Sequence, residues 1–569
     1  YTFTDPDGDE EGSSVYAWLI SDSADGGFEP IAGQAAKQLL ISEDQEGKYI
    51  KFSITPKDLF GLAGAEAQSD PVLVEQRIPN ALYVSNSQGS DENDGSFEHP
   101  FATLEKARDT IRAYKDQGLT PKNGWTVYVR GGTYQLTQSF SLTEQDAATA
   151  DAPTVYRPYR DEKVILSGGV DIDYGAFSPV EGEMKALLRV PEARNKVLVA
   201  DLAEIGLSDY AGIPIINDAP AAPLVMFDGE QMILSRYPNS QLSDDWPLEY
   251  VGNSYPGTNP GTAERFDPDA DPVPFTVAYT DDVISTWTHN VNKIITFGYW
   301  YASWYGEARY LASINAANKT FTSQRPAFYG VSNGRPFCMM NVYEELDMPG
   351  EWYIDETARK MYIYPFDVEG DANPVIHMTK QEFDLVSISG ADHVTVQGFD
   401  ITMGRENGVA IRDSENVIVR DCEISVFEKF GGIIEGGKNC GFDNCEIQAT
   451  GTGGVDITGG EDSSLTPGGH FVNNSEIHNF TLIKKSYAPA VYLKGVGNTA
   501  SHNEIYNCDH AAIIFEGPDM VIEYNHFYDI GHNSTDMGAV YAGVDTMEPS
   551  RLHVAEITEE NLSFYFGAE

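Results

Sequence analysis

The sequence predicts an all-β protein whose C-terminal part winds into a β-solenoid, and three observations predict it. From residue 392 onward a short text repeats: Asp421-Cys422-Glu423-Ile424, Asn444-Cys445-Glu446-Ile447, Asn474-Ser475-Glu476-Ile477 and His502-Asn503-Glu504-Ile505. Counted with Ile401 and Phe527, the repeated apolar residue recurs every 22 to 30 positions with no helical pattern between, the period of a solenoid coil. Each coil also carries a second strand anchored on a β-branched residue after Gly or Ala, at Val409, Ile433, Val455, Val491, Ile513 and Val540. Cys422 and Cys445 repeat in register and read as stacked interior residues, while Asn at the turns suits left-handed corners and side-chain ladders.

Taken in order, residues 1–76 form a separate module. Tyr16-Ala17-Trp18-Leu19-Ile20 and Tyr49-Ile50-Lys51-Phe52-Ser53-Ile54 are β-type runs between Gly/Asp/Ser turns, so a small sandwich with a buried Trp on a central strand is expected. The turn Asp5-Pro6-Asp7-Gly8-Asp9 could hold a structural Ca²⁺ but reads first as a solvated turn. Residues 77–196 begin with the linker Glu75-Gln76-Arg77-Ile78-Pro79-Asn80 and continue with a helical pattern from Thr103 to Tyr114. That helix suits a cap over the open end of a solenoid, whose first coils start at Thr126–Arg130 and Val164–Ser167. Residues 197–375 break the rhythm with Pro and aromatics, including Trp246, Trp287, Trp300, Trp304 and Trp352, and read as an inserted β subdomain. Residues 376–569 are the solenoid coils that carry the candidate site.

Composition removes several function classes. Against 37 Lys+Arg stand 87 Asp+Glu, a formal charge of −50. A nucleic-acid-binding face needs clustered Lys and Arg, and the same acidic excess opposes docking on an anionic membrane. No run of about 18 apolar residues is present to span a bilayer. Five cysteines are too few for a disulfide framework and none form a zinc-spaced pair, so no metal or other cofactor is called for beyond the possible Ca²⁺. Tyr1-Thr2-Phe3-Thr4 is not a signal sequence, and the chain reads as a secreted, monomeric protein whose signal has been removed, in an extracellular bacterial or marine setting.

The register of the coils points to a chemical site. Counting back four residues from each β-branched anchor gives Arg405, Lys429, Gly451, Tyr487, Asp509 and Asp536, so the last two coils place carboxylates at one position. Adjacent strands lie about 4.7–4.9 Å apart. Carboxyl groups about 5–5.5 Å apart suit a retaining glycosidase and about 6.5–9.5 Å an inverting one. Such proximity separates their acidities, leaving one as acid and one as nucleophile or base. Asp509 reads equally as a cap at a coil corner, whereas Asp536 opens a strand beside small residues that leave room for a ligand. His510 adjoins Asp509, and Glu516 falls opposite Lys494 as an inter-rung ion pair that doubles as a substrate contact. The run Gly298-Tyr299-Trp300-Tyr301-Ala302-Ser303-Trp304-Tyr305 is too aromatic to bury wholly, which makes Trp300, Trp304 and Tyr305 sugar-stacking candidates. Tyr487, Tyr541, Lys494 and Lys429 complete the expected substrate-binding set.

Several of these stretches resemble a known family. Ala488-Pro489-Ala490-Val491-Tyr492-Leu493-Lys494-Gly495, His510-Ala511-Ala512-Ile513, Ile522-Glu523-Tyr524-Asn525 and Thr535-Asp536-Met537-Gly538-Ala539-Val540-Tyr541 are similar to the right-handed parallel β-helix glycoside hydrolases of family one hundred and forty-one. Val129-Arg130-Gly131-Gly132-Thr133-Tyr134, Arg236-Tyr237-Pro238-Asn239 and Leu346-Asp347-Met348-Pro349-Gly350-Glu351-Trp352-Tyr353 are similar to the same group, so the resemblance covers about residues 81 to 545. It implies a right-handed parallel β-helix, extracellular chemistry on α-L-fucosides or xylan, and a catalytic Asp at the position of Asp536. It also implies further coils with a second acidic position. Here the sequence stops at Glu569, so either the polypeptide is truncated or its ending diverges and the partner carboxylate comes from Asp509, Glu516 or Glu559. The N-terminal module resembles the Ig-like spacers of secreted bacterial proteins.

The resulting expectation is a secreted glycoside hydrolase on a complex polysaccharide, with Asp536 as nucleophile or acid and Asp509 as its partner. A polysaccharide lyase on the same architecture would draw its base from Lys429, Arg405 or Tyr487, and a carbohydrate-binding stalk would need none. Arg405, Lys429, Lys484, Lys485 and Lys494 are the local bases that could line a groove for sulfated glycans.

Overall fold

The computed structural model describes residues 1–41, 45, 47–74, 80–239, 261, 271–368, 374–532, 534–535 and 537–542. The chain divides into two units, Tyr1–Asn80 with Leu119–Pro121, and Ala81–Gly118 with Lys122–Glu569. In the first, Val15–Ser21 and Tyr49–Thr55 pair antiparallel, with Glu29–Pro30 on one edge and Ala67–Gln68 and Val72–Leu73 on the other. The described strands of this unit make one sheet, not the two facing sheets expected of an Ig-like sandwich. Trp18 is half-buried against Phe52, its ring centroid 4.9 Å away, and its indole N–H donates to Ala36 O. The Asp5 turn closes on itself, Asp5 Oδ1 accepting from Asp7 N–H at 2.8 Å and Asp9 N–H at 3.3 Å. The expected linker, 75–79, lies outside the described residues.

The second unit is a parallel β-helix. Among the described residues three parallel sheets contain nine, eight and eight strands: eight coils send one strand to each sheet, and Ala81–Val84 adds a ninth to the first. Thus Val394–Gln397, Asp400–Gly404 and Val409–Arg412 stack on Ile418–Arg420, Glu423–Phe427 and Phe430–Glu435. Stacked strands repeat about every 4.7–4.9 Å, so an inward residue must tolerate its own kind directly above and below. Ile401, Ile424, Ile447, Ile477 and Ile505 meet this demand, paired rung on rung and wholly buried. Burying each side chain contributes roughly 1.5–3 kcal/mol.

Between the first and second sheets the backbone turns through left-handed residues, Asp421, Asn444, Asn474, His502 and Tyr524, with φ between 53 and 57°. Asp and Asn populate this region more readily than most side chains. The residue that follows points inward, and its partner one coil on satisfies its backbone: Ser475 Oγ accepts from Cys445 N–H at 3.1 Å and Asn503 Oδ1 from Ser475 N–H at 3.0 Å. Cys422 and Cys445 occupy this inner ladder as expected, and all five cysteines are buried and unpaired.

In the third sheet the expected alignment slips at one coil. Val409 pairs with Gly432, not Ile433, and Gly432 with Val455, before Val491, Ile513 and Val540 continue the row. The inward position at Gly432 is filled by the Phe442 ring, which a Cβ there would meet at 2.1 Å, so a glycine stands where the other coils carry a β-branched residue.

A helix, Leu104–Asp116, lies where the periodicity predicted it, capped by Thr103, whose hydroxyl accepts from Lys106 N–H. Its buried face of Leu104, Ala107 and Ile111 packs on the first strands, Ala81–Val84, Trp125–Val129 and Phe140–Leu142. The helix continues across the insertion without a break, since Thr154–Pro158 pairs with Trp125–Val129 on one side and Val394–Gln397 on the other. The insertion leaves between Val164–Ser167 and Val386–Ser389, and it begins earlier than residue 197: Gly169–Asp173 already pairs antiparallel with Val375–Thr379 as its stem. Among the described residues it contains an eight-stranded, a six-stranded and a two-stranded sheet, with a core around Trp352 and a second around Trp287 and Trp300. Trp246 lies outside the described residues. No helix among the described residues is long and apolar enough to cross a membrane.

Truncating the central ladder at Ile447→Ala is expected to cost about 2–5 kcal/mol, read as a fall in the urea midpoint. A thiol reagent should find no reactive cysteine in the native protein and five after unfolding; a thiol that reacts before unfolding contradicts the stacked placement.

Candidate active site

The turn from the second sheet to the third decides where the chemistry-bearing residues fall. From Phe427 to Gly432, Thr450 to Val455 and Cys508 to Ile513 it has one constant length, but from Ile530 to Val540 it is twice as long. Residues 479–490 form another extended turn, between Glu476–His478 and Val491–Gly495. The equivalent turn positions are therefore Arg405, Glu428, Gly451 and Asp509, and Lys429 loses its place to Glu428. Counting on from Ile530 puts Gly531 next to Asp509 in register, whereas counting back from Val540 reaches Asp536. The extra residues lie between, so register alone does not set an Asp509–Asp536 separation. Asp536 lies outside the described residues, as does Glu559. Its neighbour Thr535 donates its backbone N–H to Ser303 O at 3.2 Å, which brings this turn against the aromatic run of the insertion.

Two cavities open between the insertion and the extended turn. The larger, about 590 Å³, has Asp509, Lys485, Thr481 and His532 on the helix side and Arg236, Gln231 and Trp352 on the insertion side. Asp509 is almost fully buried; its carboxylate meets the Lys485 ammonium at 2.8 Å and accepts the Thr481 hydroxyl at 3.1 Å. Thr481 Oγ1 in turn accepts Asp509 N–H at 3.0 Å, so the side chain is fixed at both ends. Burial lowers the proton affinity of Lys485, and Asp509 opposes that effect. The smaller cavity, about 260 Å³, is lined by Asp218, Tyr305, Lys484, Ser486 and Tyr487. Tyr305 donates its hydroxyl to Asp218 Oδ2 at 2.7 Å, and Arg309 meets Asp218 Oδ1 at 2.6 Å and Glu307 Oε2 at 2.7 Å. Ser486 Oγ accepts Gly306 N–H at 3.2 Å and ties turn to insertion.

The other sequence-derived candidates are distributed around these cavities. His510 is buried against the Tyr487 ring, 5.2 Å between centroids, and lines neither cavity; burial, then Lys484, pushes its pKa down to about 4, so it is neutral at neutral pH. Glu516 stands opposite Lys494 in register, but the ion pair forms elsewhere: Lys494 meets Asp456 on the preceding coil at 2.6 Å, and Glu516 accepts the Tyr492 hydroxyl. Burial raises the pKa of Asp456 and Lys494 lowers it. Lys429 pairs with Glu406, and Tyr541 continues the outer row from Ile514.

Trp300 is a correction. It is wholly buried, stacked 5.8 Å from Phe337, with its N–H given to Glu307 O, and cannot receive a sugar. Trp304 is half-buried, edge-on to Tyr329 at 5.0 Å, and Tyr305 and Tyr487 do face the smaller cavity.

Three acids were missed, of which Asp218 alone lines either cavity. Glu428, meeting Arg405 at 2.9 Å and accepting Thr379 Oγ1–H at 2.7 Å, is so buried that its pKa rises to about 7 despite the arginine. Glu307 is likewise raised to about 7 by burial. Asp218 had a legible signal: Ile216-Asn217-Asp218-Ala219 forms a two-residue hairpin with positive φ at Asn217 and Asp218, a turn that Asn and Asp favour. Among the described residues no group of three or more His, Cys, Asp or Glu converges to hold a metal ion.

Residues 370–474 and 433–554 match the family model described as a right handed beta helix region, and the fold is an all-β, right-handed parallel β-helix. A segment of 87 residues, 15% of this chain, is 37% identical to 18% of pectate lyase PEL9 of Emericella nidulans. Another of 94 residues, 16% of the chain, is 38% identical to 17% of the uncharacterized protein YwoF of Bacillus subtilis. The chain thus spans under a fifth of the length of either relative. A solved glycoside hydrolase superposes with a TM-score of 0.48 at 15% identity, covering 82% of this chain and 96% of that one.

Glu428 yields a pH prediction with a definite sign. Its proton leaves the unfolded chain near 4.5 and the folded chain near 7, so the folded state binds more protons in that window and the group's contribution to stability falls as pH rises through it. Relative to wild type, Glu428→Gln should gain stability between pH 4.5 and 7 and change no further above. Urea unfolding across that range checks it; a constant difference would show that the carboxyl is ionised throughout.

Proposed function

We propose that this chain is a secreted, monomeric glycoside hydrolase that binds a polysaccharide across the face shared by the insertion and the β-helix. The observation that carries the reading is Asp509: a carboxylate held at both ends on the wall of a cavity of about 590 Å³ whose other polar groups, Lys485, Thr481, Arg236 and Gln231, suit sugar hydroxyls. In this reading Asp509 and Asp536 share the work of an oxocarbenium-like transition state, one protonating the leaving oxygen and the other acting as nucleophile or base. The Lys485 ammonium against Asp509 suits the second role for Asp509 and leaves the acid role to Asp536. Tyr305, Tyr487 and Trp304 offer aromatic surface to sugar rings, and fucose-containing glycans or xylan are the substrate classes to try first.

A specific feature favours a second reading. Polysaccharide lyases need a base near a neutralising cation, and Lys484, with its proton affinity lowered by burial, sits beside Tyr487 in the smaller cavity. The local likeness to a pectate lyase agrees with this chemistry. Of the bases first considered for it, Arg405 and Lys429 are engaged by Glu428 and Glu406.

Incubation with fucans, xylans and pectins, followed by reducing-end and ultraviolet analysis, separates the readings. Hydrolysis gives saturated products and falls roughly 10²–10⁴-fold in Asp536→Asn and in Asp509→Asn, with the circular dichroism of both variants unchanged. Unsaturated products, or undiminished turnover in Asp536→Asn, would overturn the hydrolase. Retention of glycans with no change in their size would make the chain a binding stalk.

A further inference from the structure

In a chain where acids outnumber bases 87 to 37, nearly every base near the site has found a carboxylate. Lys485 meets Asp509, Lys494 meets Asp456, Arg405 meets Glu428 and Arg412 meets Glu435. Lys484 has not: among the described residues its ammonium has neither a hydrogen bond nor an ion pair, although it lines the cavity of about 260 Å³. The two acids close enough to act on it through space are already engaged, Asp218 by Tyr305 and Arg309, and Asp456 by Lys494. A desolvated cation without a contacting counter-charge is costly and is stabilised by an anion placed against it.

We propose that the smaller cavity binds one anionic substituent of the glycan, a carboxylate or a sulfate ester, on the ammonium of Lys484. The cavity supplies what such a group needs besides charge. The Ser486 oxygen accepts from Gly306 N–H, which leaves its own hydrogen to donate. The rings of Tyr305 and Tyr487 flank the opening and can take the sugar that carries the anion. Burial lowers the proton affinity of Lys484, and an anion in contact restores it. The net charge of −50 repels a densely charged polymer at long range, so the site suits a glycan with charges on occasional residues.

The inference rests on the polysaccharide reading and is tested by binding. Two oligosaccharide pairs serve as probes for the Asp536→Asn chain: glucuronate-substituted against unsubstituted xylo-oligosaccharide, and sulfated against desulfated fuco-oligosaccharide. Calorimetry at fixed ionic strength should find the charged member of one pair bound about tenfold or more tightly, and the pair that shows it distinguishes carboxylate from sulfate. Lys484→Met should abolish that difference while leaving the neutral member's affinity unchanged, which also reports an intact fold. Lys484→Arg should keep it, which a lysine acting as a base would not. Equal affinities within both pairs, or a preference that survives Lys484→Met, overturn the inference alone. Failure to bind all four, with no cleavage of any glycan by the wild type, overturns the hydrolase reading with it.

Discussion

The β-helix of the second unit depends on the spacing of its parallel strands. Because each coil sits about 4.7–4.9 Å from the next, whatever occupies a position on one coil is pressed against its equivalent on two others. Inside, that constraint selects residues that stack without strain, and the wholly buried isoleucines from Ile401 to Ile505 satisfy it. At the corners it selects left-handed residues followed by thiols or by small polar side chains, and the oxygens of Ser475 and Asn503 cap the neighbouring backbone. Outside, it sets acid on acid in one row, Asp400, Glu423, Glu446, Glu476 and Glu504, and base against acid in others.

Ion pairs between coils form at several positions of the outer surface. Lys163 meets Asp400, Arg420 meets Asp443, and Arg412 reaches both Asp384 and Glu435 across successive coils. Most of these pairs are partly exposed and worth little singly, and in the acid row burial, then Asp400 and Glu446, raise the pKa of Glu423. Glu428 marks the limit of this arrangement. It has an arginine in contact, but burial wins, and the carboxyl holds its proton up to about pH 7.

The insertion uses the same backbone without disturbing it. Its stem strands pair with each other, so the coil on either side closes directly through Thr154–Pro158. Function gathers where the solenoid departs from its own rule. The long turns at 479–490 and 531–539 are two of the places where extra residues leave the ladder, and these two meet the insertion through Ser486 and Gly306, and Thr535 and Ser303. Both cavities lie at the first of these junctions.

The sequence by itself determined the all-β class, the coil period, the isoleucine ladder, the cysteine stack and the capping helix, because each is a local pattern repeated or bounded within a few residues. It also placed Tyr305, Tyr487 and Asp509 among the candidates, and these do line cavities. It misplaced the Gly432 rung by one residue, since a β-branched anchor beside two glycines fits either register, and it put Trp300 at a ligand where the six-stranded sheet buries it. It joined Lys494 to Glu516 by register, while the chain's own packing joined Lys494 to Asp456. What only the tertiary structure decided is which turn residues face the insertion. That depends on where a long turn places its extra residues and on a subdomain nearly two hundred positions away, and no periodicity along the chain carries that information.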